Sequence, residues 1–185
     1  MKITKELVLQ AASDIADRDG LSGVSLKVVA EALNIRTPSL YNHIDSLDEL
    51  LKEMAHEGMC VMNKEMTQAV IGVSGEAGIH KIAQAYLSYM IAHPGIYEAI
   101  QWVCWHADDR TTVLLAEYHS LLTILINSCN LKVSDPSPIV RLLAVFMHGY
   151  ATQQLGNAIT NPDLIAKDMS HALDVVMTGI KECYK

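Results

Sequence analysis

Signals that start helices recur along this chain, and signals that start strands are almost missing. Thr4, Ser25 and Thr37 can each cap a helix N-terminus through a side-chain oxygen. Thr37-Pro38 and Asn161-Pro162 put proline at the first helical position, where its missing N–H costs nothing. Ser46-Leu47-Asp48-Glu49 reads as a capping box, with Ser46 as cap and Glu49 reaching back to it. There is no sustained apolar–polar alternation and no hairpin turn of the Asn-Gly or Asp-Gly kind between such runs. The pattern predicts an all-α fold of about nine helices.

Apolar periodicity places them. Leu7, Ala11 and Ile15, flanked by Val8 and Ala12, make a stripe that Asp19-Gly20 ends. Leu26, Val29, Ala30 and Leu33 make a second, stopped at Asn34, and a third short helix runs from Thr37-Pro38 to about Ile44. A long helix follows from Ser46, striped by Leu50, Leu51, Met54, Val61, Met62, Met66 and Val70 and broken between Gly72 and Gly78. Later segments are expected at 78–92, 96–105, 108–129, from Asp135-Pro136-Ser137-Pro138 to about Asn157, and from Asn161-Pro162 to about Cys183.

Composition narrows the class. The chain has 185 residues, half of them apolar and 19% charged. That is enough to bury roughly two-thirds of the unfolded surface without a metal or disulfide staple. No stretch nears 18 uninterrupted apolar residues, and Leu7-Val8-Leu9 is cut off by Gln10, so neither a membrane span nor a secretory signal is expected. Cys60, Cys104, Cys129 and Cys183 form no Cys-x-x-Cys pair and read as small buried hydrophobes. A cytoplasmic, soluble chain is the expectation. A net charge of −7 argues against broad, charge-driven binding to nucleic acid or membrane, though not against a small basic footprint.

The first fifty residues hold three helices, and only Asn34-Ile35-Arg36 separates the second from the third. That is helix-turn-helix spacing, whose second helix can enter the DNA major groove. With Ala11-Ala12, Gly20, Val29-Ala30 and Leu40-Tyr41-x-His43, this region resembles the TetR-type transcriptional regulators. Met147-His148-Gly149 is similar to a Trp-His-Gly signature of one C-terminal branch of that family, with methionine for tryptophan. The resemblance implies a dimeric repressor with a DNA-binding head at 1–48 and a ligand-sensing, dimerising body at 49–185.

It also implies a DNA-facing set: Lys27, Thr37, Ser39, Tyr41, Asn42 and His43, with Arg36 in the turn beside them. The residue types suit the task. Lys27 can reach a phosphate or a guanine edge, and Thr37 and Ser39 sit at a helix N-terminus that favours anions. Asn42 can pair bidentately with adenine, whereas Tyr41 and His43 offer donors to the backbone. Two positions depart from the family pattern: Ile44 replaces an aromatic, and Leu47 replaces a lysine that commonly grips phosphate. Residues 1–50 carry five basic side chains against eight acidic ones, so a shallow salt dependence per subunit is expected.

In the body, Met62, Met66, Tyr86, Met90, His93, Trp102, Trp105, Tyr118 and His148 are the candidate effector-lining residues, soft apolar surface with a few polar handles. His56-x-x-x-Cys60 is only a pair, and His106, Asp108 and Asp109 only a loose cluster, whereas zinc wants three or four converging ligands. A metal-responsive regulator and a helical protein-binding adaptor are the alternatives. No cofactor is expected, and no hydrolase, P-loop, dinucleotide or zincin motif points to an enzyme. Two apolar faces, Ile139, Leu142, Leu143, Phe146, Gly149 and Tyr150 on one helix and Ile165, Met169, Ala172, Leu173, Val176, Met177 and Ile180 on the last, predict a two-fold dimer through these helices. Its DNA partner would then be a palindromic operator in double-stranded DNA.

Overall fold

The caps read from sequence decide where most helices begin. Thr4 Oγ1 accepts from Leu7 N–H at 3.3 Å and opens α1 (Lys5–Asp19); Ser25 Oγ accepts from Val28 N–H at 3.2 Å and opens α2 (Leu26–Ala32). The rest of the computed structural model, which describes residues 2–155 and 162–185, is helical too. It contains α3 (Leu47–Ala69), α4 (Gly75–Ala92), α5 (Pro94–Trp105), α6 (Asp109–Asn127), α7 (Ser137–Leu155) and α8 (Pro162–Cys183). Two 3₁₀ segments, Leu21–Gly23 and Thr37–Asn42, complete the elements, and no strand occurs among the described residues. Asn161, the expected cap of α8, and Asn157, the expected end of α7, lie outside the described residues.

Several boundaries differ from expectation for local reasons. The second helix stops at Ala32, earlier than its apolar stripe suggests. Asn34 takes a left-handed φ of 53°, and the N–H groups of Asn34 and Ile35 return to the carbonyls of Glu31 (3.0 Å) and Ala30 (2.9 Å). This is a Schellman closure, with asparagine tolerating the conformation that usually calls for glycine. Thr37 does not cap: it lies inside the 3₁₀ segment, whose N-cap Arg36 makes no side-chain cap bond. Ser46 does accept from Glu49 N–H at 3.0 Å, but the Glu49 carboxylate turns to the N–H of Asp45 rather than of Ser46. α4 starts at Gly75, whose N–H donates to Ser128 Oγ at 2.7 Å, so the break after α3 is shorter than the glycines suggest. The cysteines are not core residues: Cys60 and Cys183 are exposed, Cys104 and Cys129 half-buried, and all four are free.

The chain forms two compact units. The first comprises residues 1–61 and 93–114, the second 62–92 and 115–185. In the first, α1 packs on α2 and on α5, around a core that includes Val8, Ala12, Ile15, Val29, Leu40, Ile44, Leu50 and Met54. In the second, α4 packs on α7 and α8, which also pack on each other around Ile82, Met90, Leu143, Met147, Leu173 and Met177. An ion pair between Lys181 and Glu76 (2.7 Å) and a polar contact between His80 Nε2 and Asp174 (2.9 Å) fasten α8 to α4. Among the described residues no helix is long and apolar enough to cross a membrane.

Candidate nucleic-acid interface and effector-binding body

The Thr37–Asn42 segment is sorted by burial. Leu40 is fully buried and Ile44 nearly so, and these two apolar anchors hold the segment, which packs on α2, in the core of the first unit. Ser39, Asn42 and Tyr41 are turned outward, Tyr41 with 54% of its surface exposed, while Thr37 and His43 are half-buried at the edges. Ile44 fills the place where the family has an aromatic, so that departure is accommodated in the core and removes no exposed group.

Most nearby cations are already engaged. Lys27 is exposed on α2 and lies 3.8 Å from Glu31; Lys5 lies 3.7 Å from Glu49 and 3.5 Å from Glu53; Arg18 pairs with Asp19 at 2.6 Å. Arg36, exposed at the start of the segment, takes part in none of the ion pairs of the described residues. The outward face therefore offers hydroxyl, amide and phenol groups with little net positive charge.

Behind that face, Asp17 on α1 holds the N-terminus of α5. Its Oδ1 accepts from Gly95 N–H (2.8 Å) and Ile96 N–H (3.2 Å), and Oδ2 lies 3.0 Å from His93 Nδ1. Glu98 Oε2 reciprocates by accepting from Leu21 N–H at 2.7 Å, just past the end of α1. A Cβ on Gly95 would stand 2.0 Å from the carbonyl carbon of Ala16, so the two helix backbones touch there. Sequence reading missed Asp17, Gly95 and Glu98, because none carries a signal beyond an ordinary polar or loop residue.

His56, of the His56-x-x-x-Cys60 pair, sits in a polar pocket of the first unit. It is buried on α3 with Nε2 2.8 Å from Thr111 Oγ1 and 3.5 Å from Asp108, whose carboxylate also caps α6 through Thr111 N–H at 2.8 Å. Burial holds the imidazole below its usual range, against the pull of Asp108, so it is neutral near pH 7. Cys60 is exposed, and no group of three or more His, Cys, Asp or Glu is arranged to hold a metal among the described residues.

The candidate effector residues divide between the units. His93, Trp102 and Trp105 belong to the first: His93 is bound to Asp17, Trp102 lies against His106 (ring centroids 4.8 Å apart), and Trp105 is 85% exposed. Met62, Met66, Tyr86, Met90, Tyr118 and His148 belong to the second. The first five of these are buried, and the Tyr86 and Tyr118 rings stack at 6.0 Å and 22°. His148 is half-buried, and burial lowers its pKa.

The predicted dimer faces resolve into an inner and an outer stripe. Ile139, Leu143, Ile165, Met169, Leu173, Met177 and Ile180 are buried within one chain and cannot also be a subunit seam. The outer stripe is Leu142, Val145 and Gly149 on α7 with Leu164, Val175 and Gly179 on α8, and no heavy atom would lie within 4 Å of a Cβ at either glycine. Two apolar grooves of 420 and 360 Å³ run along this face, one lined by Phe146 and Tyr150, the other by Leu142 and Val176.

Residues 79–178 match the family model described as the tetracyclin repressor-like C-terminal domain, which covers more than half of the chain. The chain belongs to the TetR family of transcriptional regulators. One relative, the uncharacterized HTH-type transcriptional regulator YobS of Bacillus subtilis, is 29% identical over 96% of this chain and 93% of its own. The TetR fold is shared with a possible TetR family regulator from Streptomyces coelicolor (TM-score 0.70, 15% identity, 97% and 99% of the two chains). It is shared as well with TetR from Acinetobacter baumannii in complex with minocycline (TM-score 0.68, 15% identity, 100% and 99%). As a member of the TetR family the chain is a transcriptional regulator and not an enzyme.

Proposed function

We propose that this regulator is a cytoplasmic homodimeric repressor that leaves a palindromic operator when a small, largely apolar molecule binds its body. Residues 1–48 form the reading head and 49–185 the sensing and dimerising body, of which residues 93–114 pack in the same compact unit as the head. The observation that carries the DNA reading is the sorting of the Thr37–Asn42 segment: Leu40 is locked inside while Ser39, Tyr41 and Asn42 face out. Arg36, Lys27, Thr37 and His43 flank them, as phosphate contacts. With so few free cations, affinity depends on two heads acting together. The unpaired apolar stripe on α7 and α8 is where the second copy packs, which fits two-fold symmetry and hence a palindrome. Minocycline bound to the A. baumannii relative supports a small-molecule effector in principle.

α3 and α6 each contribute residues to both compact units. The 23 residues of α3 span about 34 Å, enough for a change around Met62 and Met66 to be felt near Leu47. An effector acts this way only by binding the released state more tightly, with coupling of about 1–3 kcal/mol.

Selection of bound fragments from random and genomic DNA tests the reading. A palindrome with half-sites about one helical turn apart is the expected outcome. Asn42→Ala should cost about 1–3 kcal/mol and relax preference at one base pair per half-site. Tyr41→Phe should weaken all sequences alike. If no sequence is enriched at low salt, the head binds protein rather than DNA.

A further inference from the structure

The Tyr118 hydroxyl on α6 is buried with no hydrogen-bond partner among the described residues, although its ring is stacked on Tyr86 and only 7% of the side chain is exposed. A phenylalanine would fill the same space with no polar group to satisfy. A group that costs stability in the free protein is explained if it is satisfied in the bound one.

We propose that Tyr118 is the polar anchor of the effector site, and that the effector is a neutral, largely apolar molecule bearing a carbonyl or ether oxygen that accepts from its hydroxyl. This rests on reading the second unit as effector-sensing. Burial pushes the Tyr118 phenol far above its ordinary pKa, so it stays protonated and acts as a donor. A carbonyl or ether oxygen on the effector would satisfy that donor. Neutrality follows from where this unit carries its charges. Lys64, Lys81, Lys132, Arg141, Lys167, Lys181 and Lys185 of this unit are all exposed, so a buried carboxylate would find no counter-charge. Among the described acidic side chains of this unit, Glu65, Glu117, Asp135, Asp168, Asp174 and Glu182 are exposed and the half-buried Glu76 is paired with Lys181, so an entering cation finds no free buried partner. His119, whose ring lies 5.5 Å from that of Tyr118, is kept neutral near pH 7 by burial and by Arg141. Isolated charge in such surroundings is strongly disfavoured, whereas Met62, Met66, Met90 and Leu122 are buried apolar side chains of the same unit.

The test uses the full chain and its Tyr118→Phe variant. Without ligand, the variant should melt about 2–4 °C higher. Binding is then measured by calorimetry for acetophenone and 2-undecanone, for ethylbenzene and undecane as matched hydrocarbons, and for undecanoate as the charged analogue. Wild type should bind at least one ketone about tenfold more tightly than its hydrocarbon and than undecanoate. The variant should lose that preference while holding the hydrocarbon equally well. A lower melting point for Tyr118→Phe, an undiminished ketone preference, tightest binding of undecanoate, or no binding of either ketone would each overturn the proposal. Release of DNA by a compound to the same extent from both proteins would overturn the anchor and leave the effector reading standing; operator binding that no small molecule shifts would overturn that reading itself.

Discussion

The two compact units hold themselves together by different means. In the first, helix ends are tied to one another through polar contacts and direct backbone approach: Asp17 caps α5, Glu98 receives Leu21 N–H, and Gly95 sits against the backbone of Ala16. In the second, adaptable methionines and stacked tyrosines fill the interior, and a buried hydroxyl is left without a partner. Ties of the first kind fix geometry, which the proposed presentation of Ser39, Tyr41 and Asn42 in one register needs. Apolar packing with spare polar capacity tolerates rearrangement, which suits a sensing body.

Matching substitutions in the two units give the sharpest way to break this contrast. Gly95→Ala should lose about 3 kcal/mol, because the new Cβ meets the backbone of α1 at 2.0–2.5 Å and one helix must move. Gly78→Ala, on α4, meets mainly Leu125 Cδ2 at 2.5 Å, the far end of a flexible side chain. Rotation of that leucine and the helix preference for alanine over glycine should leave it within about 1 kcal/mol of wild type. Denaturant midpoints at equal m-values measure both. Equal losses would mean that the units are packed alike.

A smaller effect is expected at Asp17. Asp17→Ala strips the cap from Gly95 and Ile96 N–H and should cost about 1–2 kcal/mol, as removal of an N-cap does. Asp17→Asn, which keeps an acceptor, should recover most of it. If Asp17→Ala is neutral, the α1–α5 junction is held by packing alone.

The smallest is a pH dependence. His56, His119 and His148 all have pKa values lowered by burial, so the unfolded chain binds protons more readily than the folded one. Stability from these groups is fully present above the unfolded histidine value of about 6.5 and is lost as pH falls through it toward the lower folded values. Each contributes a slope of at most about 1.4 kcal/mol per pH unit within that window. His56→Gln should flatten the decline between pH 7 and 5 by one group's share. An unchanged slope would place its titration outside the fold's linkage.

The sequence alone determined the all-helical class and most helix starts. These are local properties: caps, proline and periodicity act within four residues, and Asn34, Ser25 and Ser46 do in the structure what their side chains do in any helix. Length at the turn was less legible, since the early stop at Ala32 and the 3₁₀ form of Thr37–Asn42 depend on where Leu40 and Ile44 are pulled into the core. Only tertiary structure decided which apolar residues face inward. Leu142 and Leu143 are neighbours of the same type, yet one is exposed and the other buried, because α4 covers a single face of α7. The Asp17–Gly95 junction and the unpaired Tyr118 hydroxyl were likewise invisible in the sequence. Each is a relation between groups, or the lack of one, across more than thirty positions, and hydrogen-bond satisfaction is a property of the packed chain rather than of any residue in it.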